Sequence, residues 1–464
     1  MAQFFHKTMV LAGLATLGVL LGLPPGTAQA QSGPAPEREQ LLNGLTILYS
    51  NRPSDPHVLL KLRIKSGAVF DLAGKAGSMA LLADAMFPES STREYVADEL
   101  GGRLDVTTTY DSIDVTLSGK SSELERIIEL IRNAVVNVNL SAESVATLRE
   151  ARIKQLVDRS AKAGLAELAD RAVAARLFGS YPYGSPPQGT AESVAKIERA
   201  DLMLARERFL NAENATLVVV GGVEKARLMR ALRQLLGPWQ KGDRIVPATF
   251  RQPGAVDDRV LLIDAPAATK VEVRLAVRGL SRSDADAMTA SVLAQLARNR
   301  WQAQVPELAS SSFVRNETYA LGGMFMFSAS VPPASAAKAI AAAKNVMKSL
   351  AEADPIQSEI DSANLPSLFL SHRSSPDEAI ADAWLDAETY KLPNANRQGE
   401  ALRINPADIR RAAARLFGNS APLAIVTLGN AAELQSQLGY KIELRSNAPE
   451  PKPATTPAPP PRKP

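Results

Sequence analysis

The strongest constraint on what this chain can fold into is that it repeats itself. VLLKLRIKSG (Val58–Gly67) and VEVRLAVRGL (Val271–Leu280) place apolar residues on alternate positions, the period of a half-buried strand. Each is followed by an Ala/Leu-rich helix, KAGSMALLADAMF (Lys75–Phe87) and DADAMTASVLAQLAR (Asp284–Arg298). The ends match as well. ADLMLARERFLNAENATLVVVGG (Ala200–Gly222) and ADIRRAAARLFGNSAPLAIVTLGN (Ala407–Asn430) both run from an amphipathic helix, through Asn/Ser turn chemistry, into a β-branched strand that ends in glycine. The offset is 213 positions from Val58 to Val271 and 207 from Ala200 to Ala407. A duplicated domain of roughly 200 residues is the simplest account, a normal size for one core.

Inside the first copy the order is strand, helix, helix, two strands, then helices. RLDVTTTY and SIDVTLSG (103–119) alternate around Asp111 and read as a hairpin. SSELERIIELIRNAVVN (121–137), ESVATLREARIKQLV (143–157) and AELADRAVAARLF (166–178) read as amphipathic helices. Strands segregated from helices predict an α+β fold: two homologous domains, each a mixed, mostly antiparallel sheet with helices packed on one face. With aromatics at only 5%, an all-β sandwich is the poorer alternative. The expected divisions are a leader at 1–30, an N-terminal linker at 31–40, the first domain at 41–240, a linker at 241–256, the second domain at 257–445 and a Pro-rich tail at 446–464.

The leader has a basic start (Lys7), an apolar run (Met9–Leu23) and a small-x-small site at Ala28-Gln29-Ala30, so export with cleavage before Gln31 is expected, the alternative being an uncleaved N-terminal anchor. No later run is long and apolar enough to span a bilayer. With no cysteine there is neither a lipid acceptor nor a disulfide, and a periplasmic location is expected. Net charge is +4 and the cations are scattered, so nucleic-acid binding has little support. The tail favours extended, solvated polyproline II, whether as a free tail or a docking segment.

Catalytic constellations are missing. The mature chain holds only His57 and His372, in different halves and without ligand spacing. Hydrolytic zinc needs three protein ligands and an open fourth position. No Gly-x-Ser-x-Gly elbow occurs. His57, at a strand start, and His372, closing a helix-like segment, read as structural. Asp84, lacking a partner base or metal, reads as a solvated or capped carboxylate. Tyr181 and Tyr183 read as packing for a Pro/Gly-rich loop, the alternative being peptide contact.

An ordered set of segments resembles the insulinase/pitrilysin zinc peptidases across residues 41–440. LLNGLTILYS (41–50) resembles their opening strand, IKSGAVFDLAGKAGSMALLADAMF (64–87) their strand, acidic loop and catalytic helix, and ELGGRLDVTTTYDSIDVTLSG (99–119) their next hairpin. FGSYPYGSPPQGTAESVAKIERADLMLARERFLNAENATLVVVGG (178–222) is similar to their Pro-Tyr-Gly/Gly-Thr loop and closing helix and strand. That resemblance implies an insulinase-type, LuxS/metallohydrolase-like fold. It also implies an inverted zinc motif, H-x-x-E-H, with a distant glutamate as third ligand. Aligned on Gly77 and Phe87, the histidine positions are Ala80 and Asp84 and the base position is Ala83. The third-ligand position falls at Gln155, within a turn.

In active assemblies the second half supplies an arginine and a tyrosine seven positions apart; here those positions, near Gln304 and Ser311, hold neither. Arg298 and Arg300, one turn earlier, are the candidate peptide contacts, the alternative being a solvated helix end. Trp301 reads as core or interface. The family's glycine-rich segment is absent here.

The resemblance therefore points to a degenerate member, like the inactive subunit of bacterial and mitochondrial-processing-type heterodimers. By family it sits among zinc metalloendopeptidases, with no activity of its own expected. The implied partner is a zinc-bearing homologue and the implied ligand a peptide, with no cofactor in this chain and zinc in the partner. A stand-alone peptide-binding or scaffold protein of the cell envelope is the alternative.

Overall fold

The computed structural model describes residues 35–242, 249–363, 375–392, 403–418 and 421–446. The leader, His372, part of the linker and the tail beyond Ser446 lie outside the described residues.

The first half is built from β1 (Glu37–Gln40), β2 (Thr46–Asn51), β3 (His57–Ile64), α1 (Ser78–Met86), α2 (Ser91–Asp98), β4 (Leu104–Thr108), β5 (Ile113–Lys120), α3 (Leu124–Val136), α4 (Ala142–Phe178), α5 (Ala191–Ala195), α6 (Arg199–Phe209), β6 (Ala215–Gly221) and α7 (Lys225–Leu235). The second comprises β7 (Val260–Asp264), β8 (Val271–Gly279), α8 (Ala287–Gln304), β9 (Ser312–Thr318), β10 (Gly323–Val331), α9 (Ala336–Glu352), α10 (Gln357–Ala363), α11 (Pro376–Tyr390), α12 (Pro406–Phe417), β11 (Leu423–Gly429), α13 (Ala431–Gln437) and β12 (Ile442–Ser446).

The sheets run β1-β2-β6-β3-β5-β4 and β12-β7-β11-β8-β10-β9. Both are mixed: β2 lies parallel to β6, and β7 parallel to β11, while β3 and β8 pair antiparallel on both sides. The five-strand frames superpose in order, as the sequence repeat requires. Only the outermost strand differs. In the first sheet it is β1, from the stretch 31–40 read as linker; in the second it is β12, from the far end of the chain.

Each half's own helices cover one face of its sheet. Leu60, Leu62, Val115, Leu117, Leu217 and Val219 meet Leu81, Ile128 and Leu232 in the first core. Val273, Leu275, Phe325 and Phe327 meet Leu293, Trp301 and Ile340 in the second. Trp301 is fully buried and donates its indole N–H to the carbonyl of Ala339 at 3.0 Å.

The second face of each sheet is covered by a helix from the opposite half. α11 lays Ala381, Trp384 and Leu385 on Leu48, Leu59, Val218 and Val220 of the first sheet. The C-terminal part of α4 lays Ala169, Val173 and Leu177 on Leu261, Ile263, Met326, Val426 and Leu428 of the second. This double coverage is why β6 is buried at every residue, and why its sequence is a continuous apolar run rather than an alternation.

The two helices read at 143–157 and 166–178 are both present, the two segments of α4 on either side of a break at Gly164 (φ 61°, ψ −145°). That backbone region costs a side chain dearly and glycine little. The break lets one helix leave the first core and turn onto the second sheet.

Polar residues lock the exchanged helices. Five acidic side chains of α11, Asp377, Glu378, Asp382, Asp386 and Glu388, pair with Arg52, Arg103, Lys61, Arg63 and Arg38 of the first half. Arg63 is buried and also grips Asp114 through two bonds of 2.8 Å. Arg274, buried on β8, donates to Asp170 of α4 and to the Ala166 carbonyl. Among the described residues no helix is long and apolar enough to cross a membrane.

Candidate functional site

Ala80, Ala83 and Asp84, the positions that the resemblance aligns with a zinc motif, lie on α1, which is buried along nearly its whole length. Asp71 fixes where this helix begins. Its carboxyl oxygens accept the backbone N–H of Gly77 at 2.6 Å and of Met79 at 2.8 Å, satisfying two of the amides left free at the helix start. Gly77 itself takes φ 94°. A Cβ on Gly189 would stand 2.4 Å from the Ala76 carbonyl, so glycine there lets the loop before α5 press against the start of α1.

Ala80 and Ala83 are fully buried methyl groups with nothing to offer a cation. Asp84 keeps part of its side chain in solvent and is also ion-paired. The guanidinium of Arg152, on α4, grips both its oxygens, Nε at 2.6 Å and Nη2 at 2.9 Å. Nη2 also reaches the carbonyl of Ala80 at 3.0 Å, and Nη1 the side-chain oxygen of Gln188 at 3.0 Å. Gln188 in turn donates to the carbonyl of Thr108 at the end of β4. One buried guanidinium thus ties together the two former histidine positions, the Pro-Tyr-Gly loop and, through Gln188, the hairpin.

Gln155 takes no part. It lies exposed one turn beyond Arg152, which is the α4 residue that reaches the motif. The turn of α4 in which the third-ligand position is expected includes Arg152, which faces Asp84. A hint was present: arginine is the only cation near that position able to grip a carboxylate with two parallel bonds.

A zinc ion does not fit these residues. Two of three motif positions have no donor atom, and the third is held by a cation. No zinc-dependent step can be assigned to Ala80, Ala83 or Asp84.

Burial lifts the pKa of Asp84, an effect opposed by Arg152 and more weakly by Arg93. Burial also pushes Asp71 up to about 7, against the pull of the α1 amides and of Arg152. A carboxyl near 3.9 when unfolded and about 7 when folded binds a proton only in the folded state between those values. Asp71 therefore contributes stability at pH 5 that is lost as pH rises through 7. Asp71→Asn removes that dependence while keeping an acceptor at the helix start. Its melting temperature relative to the parent should rise between pH 5 and pH 8; a pH-independent difference would disprove the assignment.

The tyrosines form the joint between halves. Tyr183 is buried and accepts the Leu321 N–H at 3.0 Å. Its ring meets Tyr110 at 4.9 Å and Tyr319 at 4.8 Å. Asp111, at the hairpin turn, accepts the Ala320 N–H and the Tyr390 hydroxyl, each at 2.9 Å. Sequence reasoning gave Tyr181 and Tyr183 a local packing role and missed Tyr110, Tyr319 and Tyr390, whose meeting depends on the two halves closing together.

The second-half candidates separate. Arg300 is engaged by Glu359 of α10, with bonds of 3.0 and 2.8 Å. Arg298, half-buried, has no partner at Nε among the described residues. His57 is exposed at the start of β3.

A family model described as "Peptidase M16 inactive domain" matches residues 196–364. Over those residues the chain is similar to the M16 inactive domain. It is homologous to the zinc proteases of the M16, or insulinase-type, family and to subunits of the cytochrome b-c1 complex. An "uncharacterized zinc protease" of Mycobacterium tuberculosis is 27% identical over 208 residues, 44% of this chain and 47% of that protein. Subunit 1 of the human mitochondrial cytochrome b-c1 complex is 25% identical over 228 residues, 47% of each chain. The M16-type chain spans about half the length of the curated relatives it matches.

Among solved structures, the peptidase M16 inactive domain from Pseudomonas fluorescens matches with TM-score 0.72 at 20% identity, covering 85% of this chain and 98% of that one. The first half of the periplasmic protease PqqL from Escherichia coli matches with TM-score 0.66 at 14% identity, covering 87% and 93%. These likenesses establish the fold. Sites and chemistry rest on the residues above.

Proposed function

We propose that this M16-type chain is a non-catalytic partner subunit of a periplasmic insulinase-type zinc peptidase, completing the peptide-binding chamber for a separate, zinc-bearing subunit. The observation that carries the proposal is the Arg152–Asp84 pair. The site retains its helix, loop and hairpin, but a permanent organic cation stands beside the former histidine positions. A guanidinium cannot be deprotonated under these conditions and cannot activate water as a metal does.

Supporting observations come from the relatives. The matching domain is described as inactive. One similar structure is half of a protease described as periplasmic, and the b-c1 relatives are subunits of a larger complex. Preservation of the scaffold without the ligands fits a role in shape and binding rather than bond cleavage. The apolar leader motivates the periplasmic assignment.

The test is co-expression of the mature chain with an intact H-x-x-E-H homologue from the same genome, followed by sizing and zinc analysis. A mixed complex is expected, with zinc bound through the partner and peptidase activity that needs both chains. Robust chelator-sensitive activity of this chain alone would overturn the proposal. Self-association without recovery of such a homologue would favour the scaffold alternative.

A further inference from the structure

The one Asn-Gly pair in the chain, Asn43-Gly44, lies in the turn between β1 and β2. Asn-Gly is the dipeptide most prone to lose its side-chain amide, because glycine leaves the following backbone nitrogen unshielded. Here both residues are required. Gly44 takes φ 92°, and a Cβ on it would stand 3.1 Å from that of Glu213. Asn43 is buried, and its amide nitrogen donates to the carbonyls of Leu236 at 2.8 Å, Gly237 at 3.3 Å and Trp239 at 3.0 Å, just beyond the end of α7.

The geometry that needs the pair also silences it. The Gly44 N–H is donated to the Leu41 carbonyl at 2.9 Å, and Asn43 Oδ1 accepts the Leu45 N–H at 3.3 Å. The attacking nitrogen and the amide carbon are both held, and neither can rotate into reach of the other without opening the turn. We propose that Asn43-Gly44 is a deamidation site closed by folding, at which time spent unfolded is recorded as a covalent change that bars return to the native state.

In the reaction the Gly44 backbone nitrogen bonds to the Asn43 side-chain carbonyl carbon as that carbon's bond to Nδ2 breaks. Ammonia leaves, taking the proton of the Gly44 nitrogen, and a cyclic imide remains. Water, the only co-reactant, then opens the imide at either carbonyl. One opening gives aspartate; the other gives isoaspartate, with the backbone rerouted through the side chain. Either product misfits. A carboxylate only accepts hydrogen bonds, and at position 43 it would face the three carbonyl oxygens that the amide now serves. Isoaspartate also lengthens the backbone of a turn whose next residue already lies against Glu213. The loss falls on the segment that carries Trp239, a buried ring whose indole N–H binds the Leu210 carbonyl at 3.2 Å.

The experiment ages the mature chain at mildly alkaline pH, once in native buffer and once in urea, and follows position 43 by peptide mass spectrometry. In urea the amide of Asn43 should be lost ahead of that of every other asparagine. In native buffer its loss should be slower by about tenfold or more, because reaction waits on local opening. After dilution from urea, chains converted at position 43 should be depleted from the fraction that regains native near-ultraviolet circular dichroism and elution volume. A parallel urea sample held at mildly acid pH, where the imide forms slowly, should refold in full, which separates deamidation from other damage.

Asn43→Asp should melt well below the parent or fail to fold. Equal loss in native buffer and in urea, converted chains that refold as completely as unconverted ones, or Asn43→Asp with the parent's melting temperature would each overturn the inference. None of these readouts involves a partner or a peptide, so they stand apart from the test of the partner-subunit reading.

Discussion

Expressed separately, residues 35–242 and 249–446 should each fail to form a cooperatively folded protein, although each contains a complete six-stranded sheet. The first would leave Leu48, Leu59, Val218 and Val220 bare where α11 now lies. Exposing four such side chains forfeits roughly 1.5–3 kcal/mol apiece, roughly 10 kcal/mol in all. That equals the whole net stability of an ordinary domain, about 5–15 kcal/mol. The second fragment would lose Ala169, Val173 and Leu177 from above its own sheet, and both would strand charges that now pair across the joint. Near-ultraviolet circular dichroism and amide exchange should show loose packing in each fragment alone, with native signals returning on co-expression. A sharp unfolding transition from either fragment by itself would refute this account.

Arg152→Ala should be among the most damaging single substitutions in the first half, costing about 3 kcal/mol. Arg152 is buried, and its removal strands the Asp84 carboxylate and leaves the Ala80 carbonyl and the Gln188 side chain without their donor. Asp84 keeps 35% of its side chain in solvent, and that screening holds the estimate at the lower end of values for broken buried pairs. Asp84→Ala should also destabilise. The double variant should lose less than the sum of the two, with a coupling of about 1–3 kcal/mol measured by urea unfolding. Additive losses would show that the two side chains act independently and that the guanidinium does not hold the site together.

How much of the molecule is written in the chain can be judged from particular residues. The repeat of Val58–Gly67 in Val271–Leu280 predicts β3 and β8, and both occupy the same place in their sheets, between the β2/β6-type pair and the hairpin. Alternation around Asp111 predicts the β4–β5 hairpin. Both signals are local, because period-two patterning records which side of a strand meets a core. The loss of donors at Ala80 and Ala83 is equally local and needs no coordinates. Arg152 is different. Four positions in the sequence compete for the same turn of α4, and only the rotation of that helix against α1 decides which of them faces Asp84.

The chain by itself predicted two related α+β halves, from short-range period, and residue identity alone leaves Ala80 and Ala83 without side-chain donors. Only the tertiary structure decided that each half lends a helix to the other's sheet, that a guanidinium holds Asp84, and that five tyrosine and aspartate groups meet at the joint. Those outcomes depend on contacts between residues far apart in the chain, 68 positions for Arg152 with Asp84 and 321 for Lys61 with Asp382, and no local pattern encodes the path by which such residues meet.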